Sequence, residues 1–155
     1  MDKRKTVEKL IEKKITVATA ESCTGGMIAS AITDVPGASA VFGYGMVTYS
    51  NEAKTSILGV REETLSRFGA VSKETAGEMA AGLKRVSHAD VAVSVTGIAG
   101  PGGGSLQKPV GLVYMGLAVK DQVFIKKNLF SGNRDEIRQQ TVETAFAFIA
   151  EHCGL

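Results

Sequence analysis

A chain of 155 residues, 44% hydrophobic and 22% charged, has the length of one domain with a sizeable core and the make-up of a soluble globular protein. Its 18 basic and 16 acidic residues leave a formal charge of only +2, which excludes a broad basic footprint for nucleic acid or anionic lipid. No apolar run reaches the length of a membrane span, and the basic start Lys3-Arg4-Lys5 leads into an amphipathic pattern rather than a signal-peptide core. The two cysteines, Cys23 and Cys153, form no metal or redox spacing, so the expectation is a cytoplasmic protein with reduced thiols and no metal centre.

Residues 5–14 read as an amphipathic helix with Val7, Leu10 and Ile11 apolar, and residues 15–20 as a buried strand. Residues 25–34 predict a helix closed by Asp34-Val35-Pro36-Gly37, a turn signal. Val41 to Ser50 is β-branched and aromatic and reads as a strand, followed by a helical turn through Glu52-Ala53-Lys54 that stops near Gly59. A short helix is expected near Glu62 to Phe68. A longer one runs from Lys73 to Val86, with Ser72 as its N-cap. Val91-Ala92-Val93-Ser94-Val95 suits a strand covered on both faces. An extended glycine-rich loop, Thr96 to Ser105, comes next. Val110–Val119 and Val123–Phe130 predict a hairpin joined by Lys120-Asp121-Gln122. A last helix from about Asn133 carries the stripe Ile137, Val142, Ala145, Phe146 and Ile149. The sum is a layered α/β/α domain with a mixed sheet of about five strands, as one domain over residues 1–155.

Two stretches carry chemistry. Ala20-Glu21-Ser22-Cys23-Thr24-Gly25-Gly26 lies at a strand-to-helix junction, where a nucleophile meets unpaired N–H groups and a helix dipole. Those are the parts needed to attack a carbonyl and hold an oxyanion, although Ser and Thr at such a junction also read as plain N-caps. The loop around residues 97–104 can bring backbone N–H groups close to a ligand or an anion. It is neither a P-loop nor a dinucleotide fingerprint, and a flexible surface loop is the alternative. A serine needs a base. His88 and His152 both fall away from strand-end loops, which argues against a Ser-His-Asp triad. Lys54, just past a strand end, is the best remaining base if burial holds it neutral, and a solvated lysine if not. Tyr49 could relay a proton or simply fill core. Cys23 is the rival nucleophile, or a small packing residue.

The segments Ala20–Gly26, Val47–Lys54 and Thr96–Pro101 resemble the C-terminal domain of the CinA family, as do Gly69–Ser72, Lys108–Gly111 and Phe130–Arg134. The resemblance runs from about residue 5 to the end of the chain. It implies a nicotinamide-nucleotide amidohydrolase that turns nicotinamide mononucleotide into nicotinate mononucleotide and ammonia without a cofactor. Ser22 would be the nucleophile, assisted by Lys54 and Tyr49. The N–H groups around Thr24, Gly25 and Gly26 would hold the oxyanion. Thr96, Gly97, Gly100, Gly102 and Arg134 would hold the substrate, with Arg138 as a second charge partner. Full-length relatives add a domain linked to pyrophosphatase activity. Nothing in this sequence resembles it, so that activity is not carried over. The family resemblance, with apolar faces on the terminal helices, implies a dimer or larger, with no nucleic acid or membrane as partner. A non-catalytic nucleotide-binding or interaction module associated with competence is the reading from another class.

Overall fold

A computed structural model describes all 155 residues. Five strands form one sheet in the order β2-β1-β3-β4-β5: β1 (Val17–Glu21), β2 (Phe42–Val47), β3 (Val91–Gly97), β4 (Leu112–Val119) and β5 (Gln122–Leu129). β1 runs parallel to both β2 and β3, while β3, β4 and β5 follow one another antiparallel, so the sheet is mixed. On one face lie α1 (Lys3–Lys13), α2 (Met27–Thr33) and α6 (Arg134–Cys153); on the other lie α3 (Asn51–Leu58), α4 (Glu62–Phe68) and α5 (Lys73–Ser87). The fold is a layered α/β/α domain with a five-stranded mixed sheet, as the element pattern predicts.

Strand composition explains the layering. β1 and β3 are covered on both faces for nearly their whole length, so apolar and small residues fill both sides, and the polar Thr19, Glu21, Ser94 and Thr96 are buried with them. On β3 the bulky Val91, Val93 and Val95 meet the apolar stripe of α6, while the small Ala92 and Ser94 face α5. Gly116 on β4 continues that low surface: a Cβ there would stand 2.4 Å from the Ala76 carbonyl oxygen of α5. Ser94 Oγ donates to the same carbonyl at 2.6 Å. Small residues thus let α5 lie close to the sheet, and large ones fill the opposite layer.

Several boundaries differ from the sequence reading, in three of the elements for evident reasons. α2 starts at Met27 rather than residue 25, because Gly25 and Gly26 take left-handed conformations (φ 56° and 106°) that no helix continues. The second strand is shorter at both ends, since Val41 closes a 3-10 turn and Ser50 already caps α3 through the Ala53 N–H. β4 begins at Leu112 rather than Val110, the Leu112 N–H closing a turn on the Pro109 carbonyl. No helix is long and apolar enough to cross a membrane.

Candidate active site

The parallel strands β2, β1 and β3 end at the same edge of the sheet, where ligands collect in open α/β sheets. The segments that leave them, together with residues 70–71 before α5 and Arg134 at the start of α6, surround a cavity of about 280 Å³. Ser22, the first residue beyond β1, is only 9% exposed, and its N–H donates to Val95 of β3 at 3.0 Å. That bond extends the β1–β3 ladder by one residue and fixes where the hydroxyl can point.

Lys54 reaches Ser22 from α3. Its Nζ lies 3.0 Å from Ser22 Oγ, 2.8 Å from the Thr48 carbonyl and 3.4 Å from the Tyr49 carbonyl. The residue is 1% exposed and no carboxylate pairs with it. Burial therefore pushes its pKa below the ordinary lysine value of 10.5, opposed in part by the nearby Cys23. The stereochemistry suits a neutral amine. Two N–H bonds serve the two carbonyls, and the single lone pair faces the serine O–H. A neutral amine so placed is within reach to accept the Ser22 hydroxyl proton.

The turn from Ser22 to Gly26 is held from both sides. The Glu21 carboxylate accepts from Thr24 Oγ1 at 2.6 Å, from the Ile28 N–H at 2.8 Å and from the Ala29 N–H at 3.1 Å. From α6, Arg138 donates to the carbonyls of Cys23 and Thr24 at 3.1 and 3.2 Å. The Gly25 N–H is spent on the Ser22 carbonyl. The Cys23 N–H, beside Ser22 and on a residue that lines the cavity, donates to no carbonyl of the chain.

The loop after β3 is the opposite case. The N–H groups of Ala99, Gly100, Gly102, Gly103 and Gly104 make no backbone hydrogen bond. Arg134 closes this side of the cavity, its Nη1 donating to the Gly100 carbonyl at 2.8 Å and its Nη2 lying 3.4 Å from the Tyr49 hydroxyl. Arg134 has no carboxylate partner, so its charge is available to an anion.

The family profile of the CinA C-terminal domain matches residues 2–153. The chain belongs to the CinA family. A competence-damage inducible protein of Caldanaerobacter subterraneus subsp. tengcongensis is 54% identical over 147 residues, a match covering 94% of this chain and 36% of that protein. A CinA-like protein of Endomicrobium trichonymphae is 60% identical over 136 residues, covering 88% and 32%. The chain thus spans about a third of the length of these curated relatives. Among solved structures, the competence/damage inducible protein CihA of Agrobacterium tumefaciens superposes with a TM-score of 0.93 at 47% identity, covering 96% of this chain and 92% of that one.

Within this CinA domain the structure brings together Ser22, Tyr49, Lys54, Thr96, Gly97, Gly100, Gly102 and Arg134. It does not bring Thr24, Gly25 or Gly26 to the cavity wall, and the first free N–H groups of α2, those of Ile28 and Ala29, are occupied by Glu21. Arg138 is likewise spent on the turn instead of facing a ligand. Tyr49 contributes its backbone to Lys54, while its side chain, 61% exposed, extends over the rim toward Arg134. Thr96 Oγ1 donates to the Ala70 carbonyl at 2.9 Å, tying the segment before α5 to the cavity floor. His88 and His152 are absent from the cavity; His152 packs on Phe124 and Phe148. Asn51, Ala70 and Val71 line the cavity although the sequence reading assigned them no role. They follow residues whose patterns look like ordinary caps and turns, and only the tertiary fold turns them inward.

Proposed function

We propose that this CinA domain is a serine amidohydrolase that cleaves the carboxamide of nicotinamide mononucleotide. The observation that carries the reading is the buried, uncompensated Lys54 amine 3.0 Å from Ser22 Oγ. A lysine desolvated without a carboxylate is poised as a general base, and the hydroxyl beside it becomes the nucleophile. Ser22 Oγ attacks the carboxamide carbon while Lys54 Nζ takes the hydroxyl proton. The Cys23 N–H, on the residue after the nucleophile, supports the developing oxyanion in place of the groups at Thr24, Gly25 and Gly26. As the C–N bond breaks, the protonated Lys54 returns its proton to the leaving nitrogen and ammonia departs. Water then attacks the acyl-enzyme and gives a proton to Lys54, which passes it to the departing Ser22 Oγ, and the released carboxylic acid ionises in solvent.

The surroundings favour a nucleotide amide. Ala70, Val71, Ile98 and Ala99 present apolar surface beside the nucleophile for a flat ring. The unspent amides of the glycine loop and the unpaired guanidinium of Arg134 suit a phosphate. The buried Cys23 thiol is a poor rival nucleophile, because burial pushes its pKa up to about 11.

Ammonia release from nicotinamide mononucleotide by the wild type and by Ser22→Ala tests the reading. Loss of kcat by roughly 10⁴-fold or more is expected for the variant, as for other activated serine nucleophiles. No release from the wild type would move the site to a binding role.

A further inference from the structure

Glu21 is a charged residue at the end of a fully buried strand, 1% exposed, and no lysine or arginine pairs with it. A bare carboxylate in such surroundings is costly unless donors converge on it. Three do: the Thr24 hydroxyl and the Ile28 N–H on Oε1, and the Ala29 N–H on Oε2. These donors come from the turn and from the first residues of α2. One side chain therefore joins the end of β1, the turn and the helix that follows. Ser22 is the next residue in the chain, its own N–H anchored on Val95.

We propose that Glu21 is the positioning residue of the Ser22–Lys54 pair, its carboxylate gripping Thr24 and the start of α2 so that Ser22 Oγ stays within hydrogen-bond reach of Lys54. The inference rests on the serine–lysine reading above. Arg138 supplies the opposing grip on the carbonyls of Cys23 and Thr24, so the turn is held through the Thr24 hydroxyl on one side and its carbonyls on the other. Such holding matters because an ångström of misplacement at a nucleophile costs about a hundredfold in rate. Glu21 acts through geometry and not through its charge on the base. Thr24, the nearest residue it binds, is outside the cavity, and the carboxylate makes no contact with Lys54.

Glu21→Gln tests this with little change of volume. The amide keeps one acceptor oxygen but sets an NH2 group against an N–H or hydroxyl donor. Thr24→Val removes one donor and leaves the carboxylate in place. Each variant is treated with a fluorophosphonate probe, which labels an activated serine whatever the natural substrate, and labelling is mapped to Ser22. The melting temperature and the pH profile of labelling are recorded alongside. The expected result is labelling about tenfold to a hundredfold slower in Glu21→Gln. Thr24→Val should show a smaller loss in the same direction, both with the acid limb of the profile where the wild type has it. Wild-type rates of labelling in a variant that melts earlier would make Glu21 a stability residue only and overturn the proposal. An acid limb shifted to lower pH in Glu21→Gln would also overturn it, by showing that the carboxylate works through its field on Lys54. If the wild type is not labelled at Ser22 at all, the serine–lysine reading itself fails.

Discussion

The segments that follow β1 and β3 leave adjacent parallel strands at the same edge of the sheet, yet they are tethered to very different degrees. Residues 22–26 are bonded from every side, by Val95, Glu21 and Arg138. From Ala99 to Gly104 the loop donates no N–H to any backbone carbonyl, and its main tether is the Arg134 guanidinium on the Gly100 carbonyl. The difference divides labour. A nucleophile gains from being immobile against its base, whereas donors meant for a ligand must be unspent before the ligand arrives. Changes in the first segment and its lysine should therefore appear in kcat, and changes in the second in KM.

After the loss expected for Ser22→Ala, Lys54→Met should have the largest effect, lowering kcat by about 10²- to 10⁴-fold, the usual share of a general base. Its pH dependence carries a sign that can be worked out. Burial lowers the folded-state pKa of Lys54 below 10.5. Between the lowered value and 10.5 the unfolded chain binds a proton that the folded chain lacks, so stability rises with pH across that window. Thermal melts of the wild type and Lys54→Met from pH 7 to 10 should show the wild type gaining on the variant as pH rises. The wild-type kcat/KM should fall on the acid side as Lys54 takes up its proton. Parallel melting curves would mean that the lysine is not perturbed.

Gly100→Ala probes the other segment. Gly100 holds a left-handed φ of 81°, and a Cβ there would come within 2.5 Å of Val110 Cγ1, so the loop must shift and the Arg134 tether with it. KM should rise about tenfold, the scale of one lost charge-assisted contact, with kcat changed far less. A fall confined to kcat would contradict the division between the two segments.

Tyr49 sits between them, its carbonyl on the lysine and its hydroxyl near Arg134. Tyr49→Phe keeps the carbonyl and removes only the hydroxyl. A loss of about tenfold in kcat at steady KM is expected if that hydroxyl helps return the proton to the leaving nitrogen. A rise in KM alone would assign it to Arg134 and substrate holding.

Much of this was legible beforehand, and the exceptions have physical causes. The helices carry their own punctuation: Ser72 caps α5, and Asn133 forms a full capping box with Glu136 at the head of α6. Strand period announced the β4–β5 hairpin, although its turn is the two residues Lys120 and Asp121, Gln122 already pairing with Val119. Ser22 was visible from its junction. Lys54 was visible only as a candidate, because a lysine on a short helix after a strand reads as solvated; its burial depends on carbonyls of Thr48 and Tyr49 that curl over it. The oxyanion donors were the harder question. A helix N-terminus beside a nucleophile invites that role, but the residue before Ser22 fills the terminus of α2 with its own carboxylate. The available signal was a charged residue closing a strand of small residues, a placement that burial makes costly unless specific donors await it.

The smallest effect should come from Cys23→Ala, and it bears on which atom in the rigid segment is the nucleophile. The thiol is adjacent to Ser22 in sequence and lines the same cavity. Burial pushes its pKa up to about 11, opposed first by a hydrogen bond from the Cys23 backbone itself, with smaller and opposing effects of the Glu21 carboxylate and of Arg138 and Lys54. At pH 7 that leaves about one thiolate in ten thousand. Cys23 also packs in the apolar layer with α2 and α6, so its removal should lower stability by about 1 kcal/mol through lost contacts. Alanine keeps the backbone N–H proposed to meet the oxyanion, and it leaves the Arg138 contact with the residue 23 carbonyl in place. Turnover should therefore stay within about threefold of wild type while Ser22→Ala removes it. A Cys23→Ala enzyme that is folded but inactive would transfer the attack from oxygen to sulfur, and the Ser22–Lys54 hydrogen bond would then need another explanation.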